Sequence, residues 1–138
     1  MPVAWFTDDD EEMTRAVRLM LHMLGYEMRS FFTARSTARA LLAGEAPDIL
    51  FLDINMPEVS GIDLLEFIRR RSQWDHLPVI MLTSEATDVQ VDQAVALGAD
   101  GYVFKPASIE DLEQAIHSAI QNRQSLYQAD REPPPAAE

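Results

Sequence analysis

Two short stretches in the middle of the chain, DILFLD at 48–53 and LPVIMLT at 77–83, are almost wholly apolar and each stops on a polar residue. A strand with one wet face alternates polar and apolar side chains; a strand without that alternation has to be buried on both faces. Around these two runs, short β-prone segments alternate with longer stretches of helical period. VAWFT at 3–7 reads as a first strand. It is followed by Met13, Ala16, Val17, Met20, Leu21 and Leu24 on one helical face, with Gly25 placed to stop the helix. EMRSFFT is a weaker second strand with a short helix around STARALLA after it, and GIDLLEFIRR is the helix between the two apolar strands. A less regular helix spans 88–97, GYVFK is a fifth strand, and Ile109, Leu112, Ile116 and Ile120 mark a final amphipathic helix. Five strands alternating with five helices predict an α/β fold, a parallel sheet with helices on both faces wound by right-handed crossovers.

With 138 residues the chain is long enough for one domain with a real core. Its formal charge of −12 sets the electrostatic term against direct contact with nucleic acid or an anionic membrane, and favours cationic partners or metal ions. The absence of cysteine excludes disulfides, thiolate catalysis and cysteine-held zinc. The N-terminus lacks the pattern of a secretory signal and no apolar run approaches membrane-spanning length, so a cytoplasmic location is expected. His22, His76 and His117 have no ligand spacing, and the seven methionines read as core filler.

Ligands of open parallel α/β sheets bind beyond the carboxyl ends of the strands. The residues at those ends are Asp8 and Asp9, Asp53, Thr83 and Lys105. Three converging carboxylates raise one another's pKa unless a cation relieves them, and oxygen ligands with no histidine or cysteine suit Mg2+ or Mn2+. Mg2+ takes only one or two carboxylates, which leaves another free as a nucleophile. The lysine and threonine are suited to hold phosphoryl oxygens. The set reads as an aspartate that becomes an acyl phosphate. Asp10, Glu11 and Glu12, next in the acidic run, are expected to start the helix, where acids complement its dipole.

On these residues the chain resembles a response-regulator receiver domain of two-component signalling, nearest in size to the single-domain chemotaxis type. The motifs are the acid pair Asp8–Asp9, DINMPEVSG from Asp53 to Gly61, TSEA from Thr83 to Ala86, and GYVFKP from Gly101 to Pro106. The resemblance runs from Val3 to about Leu126, so residues 1–127 are expected to form the receiver and the Pro/Ala-rich residues 128–138 a disordered tail or linker. It implies a flavodoxin-like (βα)5 fold with strand order 2-1-3-4-5. It also implies Asp53 as phosphoacceptor from a phosphohistidine donor, Asp9 as direct Mg2+ ligand, Asp8 acting through a metal-bound water, and the Asn55 carbonyl as a further ligand. Thr83 and Lys105 would bind phosphoryl oxygens, Ser84 would leave room for the group, and Lys105–Pro106 would be a cis peptide. Tyr102 would be the aromatic that swings inward with the threonine, and Asn55 and Glu85 would tune acyl-phosphate lifetime. Thr7 stands where the family has an aliphatic residue and Ser60 where it often has an acid.

The expected partners are a histidine kinase or histidine phosphotransfer protein, and a downstream protein or an output domain on a longer chain. Leu19 and Met23, at the edge of the first helix's buried face beside Arg15 and His22, are candidates for docking such a donor. Three other functions compete. An aspartate-nucleophile phosphatase of the haloacid-dehalogenase type needs a second acid two residues after the nucleophile, where this chain has Asn55. A flavin module would want a hydroxyl- and glycine-rich loop after the first strand. A scaffold that is never phosphorylated would not need every site residue. The chain is therefore expected to catalyse its own phosphorylation and dephosphorylation without being a turnover enzyme.

Overall fold

The computed structural model describes residues 1–84 and 88–131, with side chains for 1–84 and 90–126. The elements follow in strict alternation: β1 (Val3–Thr7), α1 (Glu11–Met23), β2 (Glu27–Phe31), α2 (Ala34–Leu42), β3 (Ile49–Asp53), α3 (Gly61–Arg69), a single 3-10 turn (Ser72–Trp74), β4 (Val79–Thr83), α4 (Asp88–Ala96), β5 (Gly101–Phe104) and α5 (Ile109–Arg131). The sheet is wholly parallel in the order β2-β1-β3-β4-β5, the flavodoxin-like arrangement. Every residue of β3 and β4 is buried, as their unbroken apolar sequence requires. Successive strand residues point to opposite faces and so feed two cores. Trp5, Leu50, Leu52, Val79 and Met81 join Leu41 of α2 and Leu65 and Ile68 of α3. Ala4, Phe6, Phe51, Ile80 and Leu82 join Val17 and Leu21 of α1 and Leu112 and Ile116 of α5.

Helix α1 differs from its expected face. Its buried side chains are Thr14, Val17 and Leu21, whereas Ala16 is exposed and Met13, Met20 and Leu24 are half-buried. Thr14 can take an inner position because its hydroxyl donates to the Asp10 carbonyl at 2.7 Å and leaves only its methyl to the core. Asp10 is the N-cap, accepting from the Met13 N–H, with Glu11 and Glu12 in the first turn. Gly25, at φ 91°, closes the helix in the left-handed region. Leu19 and Met23 stand well clear of the core rather than at its edge, at 62% and 67% exposure. At the other end of the chain, α5 runs to Arg131, so residues 128–131, expected in the tail, are helical. Nothing between Ile109 and Arg131 is a glycine or proline, and the first proline comes at 133. No helix among the described residues is long and apolar enough to cross a membrane.

The N-terminal edge of the sheet carries a buried charge network that no local pattern announces. The side chain of Asp100, in the loop before β5, is fully buried between Arg69 of α3 and Arg123 of α5. Its carboxylate accepts from Arg69 at 2.9 Å, Arg123 at 2.9 Å, Asn122 at 2.7 Å and the Val79 N–H at 2.8 Å. Further guanidinium protons go to the carbonyls of Gly98, Trp74, Leu77 and Asp75. Burial and the neighbouring Arg123 lower the Arg69 pKa to about 10, which still leaves it charged at neutral pH. Two arginines on one carboxylate are tolerable here because each of their guanidinium nitrogens donates to an acceptor. The network ties α3, the α4–β5 loop and α5 together.

A second buried polar link joins β1 to α2. Thr7 Oγ1 lies 2.7 Å from Thr37 Oγ1, and Thr37 donates its single hydroxyl proton to the Thr33 carbonyl at 3.1 Å, so Thr7 must donate to Thr37. Thr37→Val therefore strands a fully buried donor and is expected to cost about 1–3 kcal/mol in urea denaturation. Thr7→Val leaves Thr37 still donating to Thr33 and is expected to cost under about 1 kcal/mol, with the double variant close to it. Equal costs for the two single variants would refute this proton assignment.

Candidate functional site

Because β1, β3, β4 and β5 are neighbours in the sheet, their carboxyl ends converge. Asp8 leaves β1, Asp53 closes β3, Thr83 closes β4 and Lys105 follows β5. Hydrogen bonds across the tops hold the register: Asp8 N–H to the Phe31 carbonyl at 3.0 Å, Ile54 N–H to Leu82 at 2.9 Å and Lys105 N–H to Thr83 at 2.8 Å. One oxygen each of Asp8, Asp9 and Asp53 lies within 4.8 Å of the others, and this is the only such acidic or histidine group among the described residues. Asp8 and Asp53 are buried, whereas Asp9 is exposed.

Lys105 is the counter-ion. Its Nζ lies 2.5 Å from Asp8 Oδ2 and 3.4 Å from Asp53 Oδ1, across 97 and 52 residues of chain. Burial alone would lower the lysine pKa, but the hydrogen bond to Asp8 and the charges of both carboxylates outweigh it and raise the pKa. Asp8 Oδ1 also accepts the Asp10 N–H at 3.0 Å, so the third acid of the run supports the first through its backbone. Asp53 accepts the Asn55 N–H at 3.3 Å. Burial first, then the Asp8 charge, pushes Asp53 up to about 6, and Lys105 and the Asn55 N–H only partly oppose the shift.

This chemistry fits a divalent cation. Three carboxylates and one ammonium leave two negative charges uncompensated, all donors are hard oxygens, and Asp9 opens to solvent. Thr83 is fully buried at the end of β4, as the strand-end reading expects. Of the residues that the family resemblance adds, Ser84 and Asn55 are exposed and Lys105–Pro106 is a cis peptide. Tyr102 points outward at 45% exposure, edge-on to Phe104 with ring centroids 5.4 Å apart. Glu85 lies outside the described residues.

The loop from β3 to α3 shows two features the sequence reading did not explain. A Cβ on Gly61 would sit 2.0 Å from the Asp53 carbonyl oxygen, so only glycine lets α3 start against the end of β3. Ser60 caps that helix in a reciprocal capping box with Asp63. Between them and Asp53, the Val59 N–H donates to the Pro57 carbonyl at 2.8 Å around Glu58, whose φ is 68°. The tight turn folds the loop back beside the acidic cluster.

Comparison with known proteins agrees with this geometry. The family model of the response regulator receiver domain matches residues 5–117. The chain is 35% identical over 114 residues to the chemotaxis protein CheY of Pseudomonas aeruginosa, covering 83% of this chain and 92% of that protein. It is 32% identical over 134 residues to the transcriptional regulatory protein KdpE of Mycobacterium tuberculosis, covering 97% of this chain but only 57% of that one. Among solved structures, the chemotaxis protein CheY4 of Vibrio cholerae aligns with a TM-score of 0.77 at 28% identity, covering 86% of this chain and 98% of that one.

The raised Asp53 pKa carries a stability consequence of definite sign. Between its ordinary value of 3.8 and about 6, the folded state keeps a proton that the unfolded state has released. The contribution of Asp53 to the stability of the metal-free protein therefore falls as pH rises through that window and levels above it. Asp53→Asn lacks this titration. Its stability advantage in EDTA should grow between about pH 4 and about pH 6.5 to the order of 1–3 kcal/mol. Mg2+ should shrink it by stabilising the wild type. A gap that is the same at both ends of this range would show that Asp53 is not perturbed.

Proposed function

The chain belongs to the response regulator receiver family, and we propose that it is a phosphoacceptor switch in which Asp53 takes a phosphoryl group from a phosphohistidine donor. The observation that carries this reading is the Asp53 carboxylate, buried at a strand end within reach of Lys105 and two further acids. An Asp53 oxygen attacks phosphorus; the new O–P bond forms as the P–N bond of the donor breaks, and the electron pair leaves with the imidazole. Lys105, already poised between Asp8 and Asp53, follows the charge onto a phosphoryl oxygen. The Thr83 hydroxyl takes another, and Ser84 is small enough to admit the group. Asp8, Asp9, Asp53 and the Asn55 carbonyl would hold Mg2+, which when bound supplies the positive charge that lets a polyanion approach three carboxylates. Asn55, which is exposed, and Glu85 would set water access to the acyl phosphate and hence its lifetime.

The output is a shift in a pre-existing equilibrium. Thr83 moving toward the phosphoryl group makes room for Tyr102, whose ring now stands outside, and the surface formed by α4, β5 and α5 changes for a downstream partner. This action needs no turnover of a separate substrate. The phosphatase alternative lacks its second acid, since position 55 is an asparagine with an exposed side chain. The reading places the protein in the cytoplasm beside the phosphorylated domain of a histidine kinase or a phosphotransfer protein, with the receiver unit extending through the end of α5 at Arg131.

Incubation with acetyl phosphate and Mg2+ should add one phosphoryl mass to the intact protein, and the adduct should be absent in Asp53→Ala and in EDTA. If no adduct forms and beryllofluoride also fails to bind, the chain is a scaffold. Leu19→Ala with Met23→Ala should slow transfer from the cognate histidine donor by about tenfold, the loss of roughly 1.4 kcal/mol of contact, without changing the acetyl phosphate reaction. An unchanged donor rate would remove α1 as the docking face.

A further inference from the structure

The chain's charge is unevenly distributed. Residues 13–44 carry five arginines and a single acid, Glu27, a balance of +4 within a chain of −12, which leaves −16 on the rest. All five arginines, Arg15, Arg18, Arg29, Arg35 and Arg39, are exposed. The segment wraps the open edge of the sheet, with α1 on one face of β2 and α2 on the other. A groove of about 680 Å³ lies between that edge and α2, with Arg29, Phe32, Thr33, Ser36, Arg39 and Glu45 in its walls. Phe32, 48% exposed, supplies an apolar anchor point, and Leu42 at the end of α2 is 55% exposed.

The groove is partly preorganised. The Arg29 guanidinium stacks over Trp5 and Phe31 at 5.3 and 4.8 Å from their ring centroids and pairs with Glu45 at 2.6 Å. Arg18 closes the strand edge by donating to the Met28 carbonyl at 2.6 Å and to Ser30 Oγ at 3.1 Å, which discourages another strand from pairing there. Among the described residues Arg35 pairs only with Glu58, at 4.0 Å, both side chains largely exposed. On the α2 side, Arg29, Arg35 and Arg39 against Glu45 and Glu58 still leave a balance of +1 on a strongly negative molecule.

We propose that the β2–α2 groove docks an acidic polypeptide segment with an apolar anchor, at a surface separate from the phosphorylation site. Charge complementarity identifies the occupant: carboxylates for Arg29 and Arg39 in the groove and for Arg35 one turn before Arg39 on α2, and an apolar side chain against Phe32. A polypeptide fits better than an anionic lipid surface because the groove is concave and the −16 elsewhere would be repelled by a charged bilayer. The proposal goes beyond the switch reading and does not depend on Asp53.

The test titrates the 15N-labelled full chain with a synthetic amphipathic peptide carrying glutamates on one face and a phenylalanine on the other. Saturable shifts are expected at the end of β2 and along α2, weakened by added salt and absent with a lysine version of the peptide. Arg39→Glu with Arg35→Glu, which disturbs no packed side chain, should weaken binding by about tenfold or more and leave the acetyl phosphate adduct on Asp53 unchanged. Shifts centred elsewhere, or binding indifferent to this charge reversal, would overturn the proposal. Salt-sensitive self-association without peptide, lost in the same variant, would assign the groove to a second copy and likewise overturn it. Peptide binding without any Asp53 adduct would sink the switch reading and leave this one standing.

Discussion

The site depends on one ion pair. Asp8 and Asp53 are both buried, and two buried carboxylates side by side are tolerable only because Lys105 reaches them from β5. The lysine answers one of three negative charges that converge there and leaves the rest to a cation. That residual deficit makes the cluster a binding site rather than a closed salt bridge. It also keeps Asp53 raised to about 6 when no other cation is present. The same unrelieved charge that costs stability is what suits the site to a divalent cation.

Holding carboxylates in this state requires a stiff frame, and β3 and β4, apolar up to Asp53 and Thr83, supply it. With all ten of their residues buried, there is no polar side along which these strands could slip. Gly61 lets α3 begin in contact with the Asp53 backbone, and Asp10 and Asn55 give their N–H groups to the flanking carboxylates. At the opposite edge of the sheet, Asp100 with Arg69 and Arg123 locks α3, the α4–β5 loop and α5 together. Helix α4 stands apart from this rigidity. Among its described side chains only Ala94 is buried. Those side chains are lightly packed, which suits the proposed switch.

Much of this was legible in the chain itself. The unbroken apolar runs identified the central strands, and the polar residue ending each run identified Asp53 and Thr83. Asp10 and Gly25 marked the ends of the first helix within a residue, because capping is settled by neighbours in sequence. The face of that helix was less legible. Thr14 counts as polar in a periodic pattern, yet its hydroxyl is satisfied by Asp10 four residues back, so it could replace Ala16 in the core. The length of α5 was misjudged because a polar segment with no breaker can end as coil or continue as helix.

The sequence alone determined the order and type of the elements and the identity of the residues at the strand ends, since both follow from local periodicity and from which runs must be buried. Only the tertiary structure decided which of those residues meet. The 2.5 Å approach of Lys105 to Asp8, the link from Thr7 to Thr37 and the placement of Asp100 between two arginines join residues 97, 30, 31 and 23 positions apart. The basic face around β2 likewise exists only once α1 and α2 pack on opposite sides of one edge strand. Such contacts are set by the crossovers and by the register of the parallel strands, and no window along the chain contains both partners.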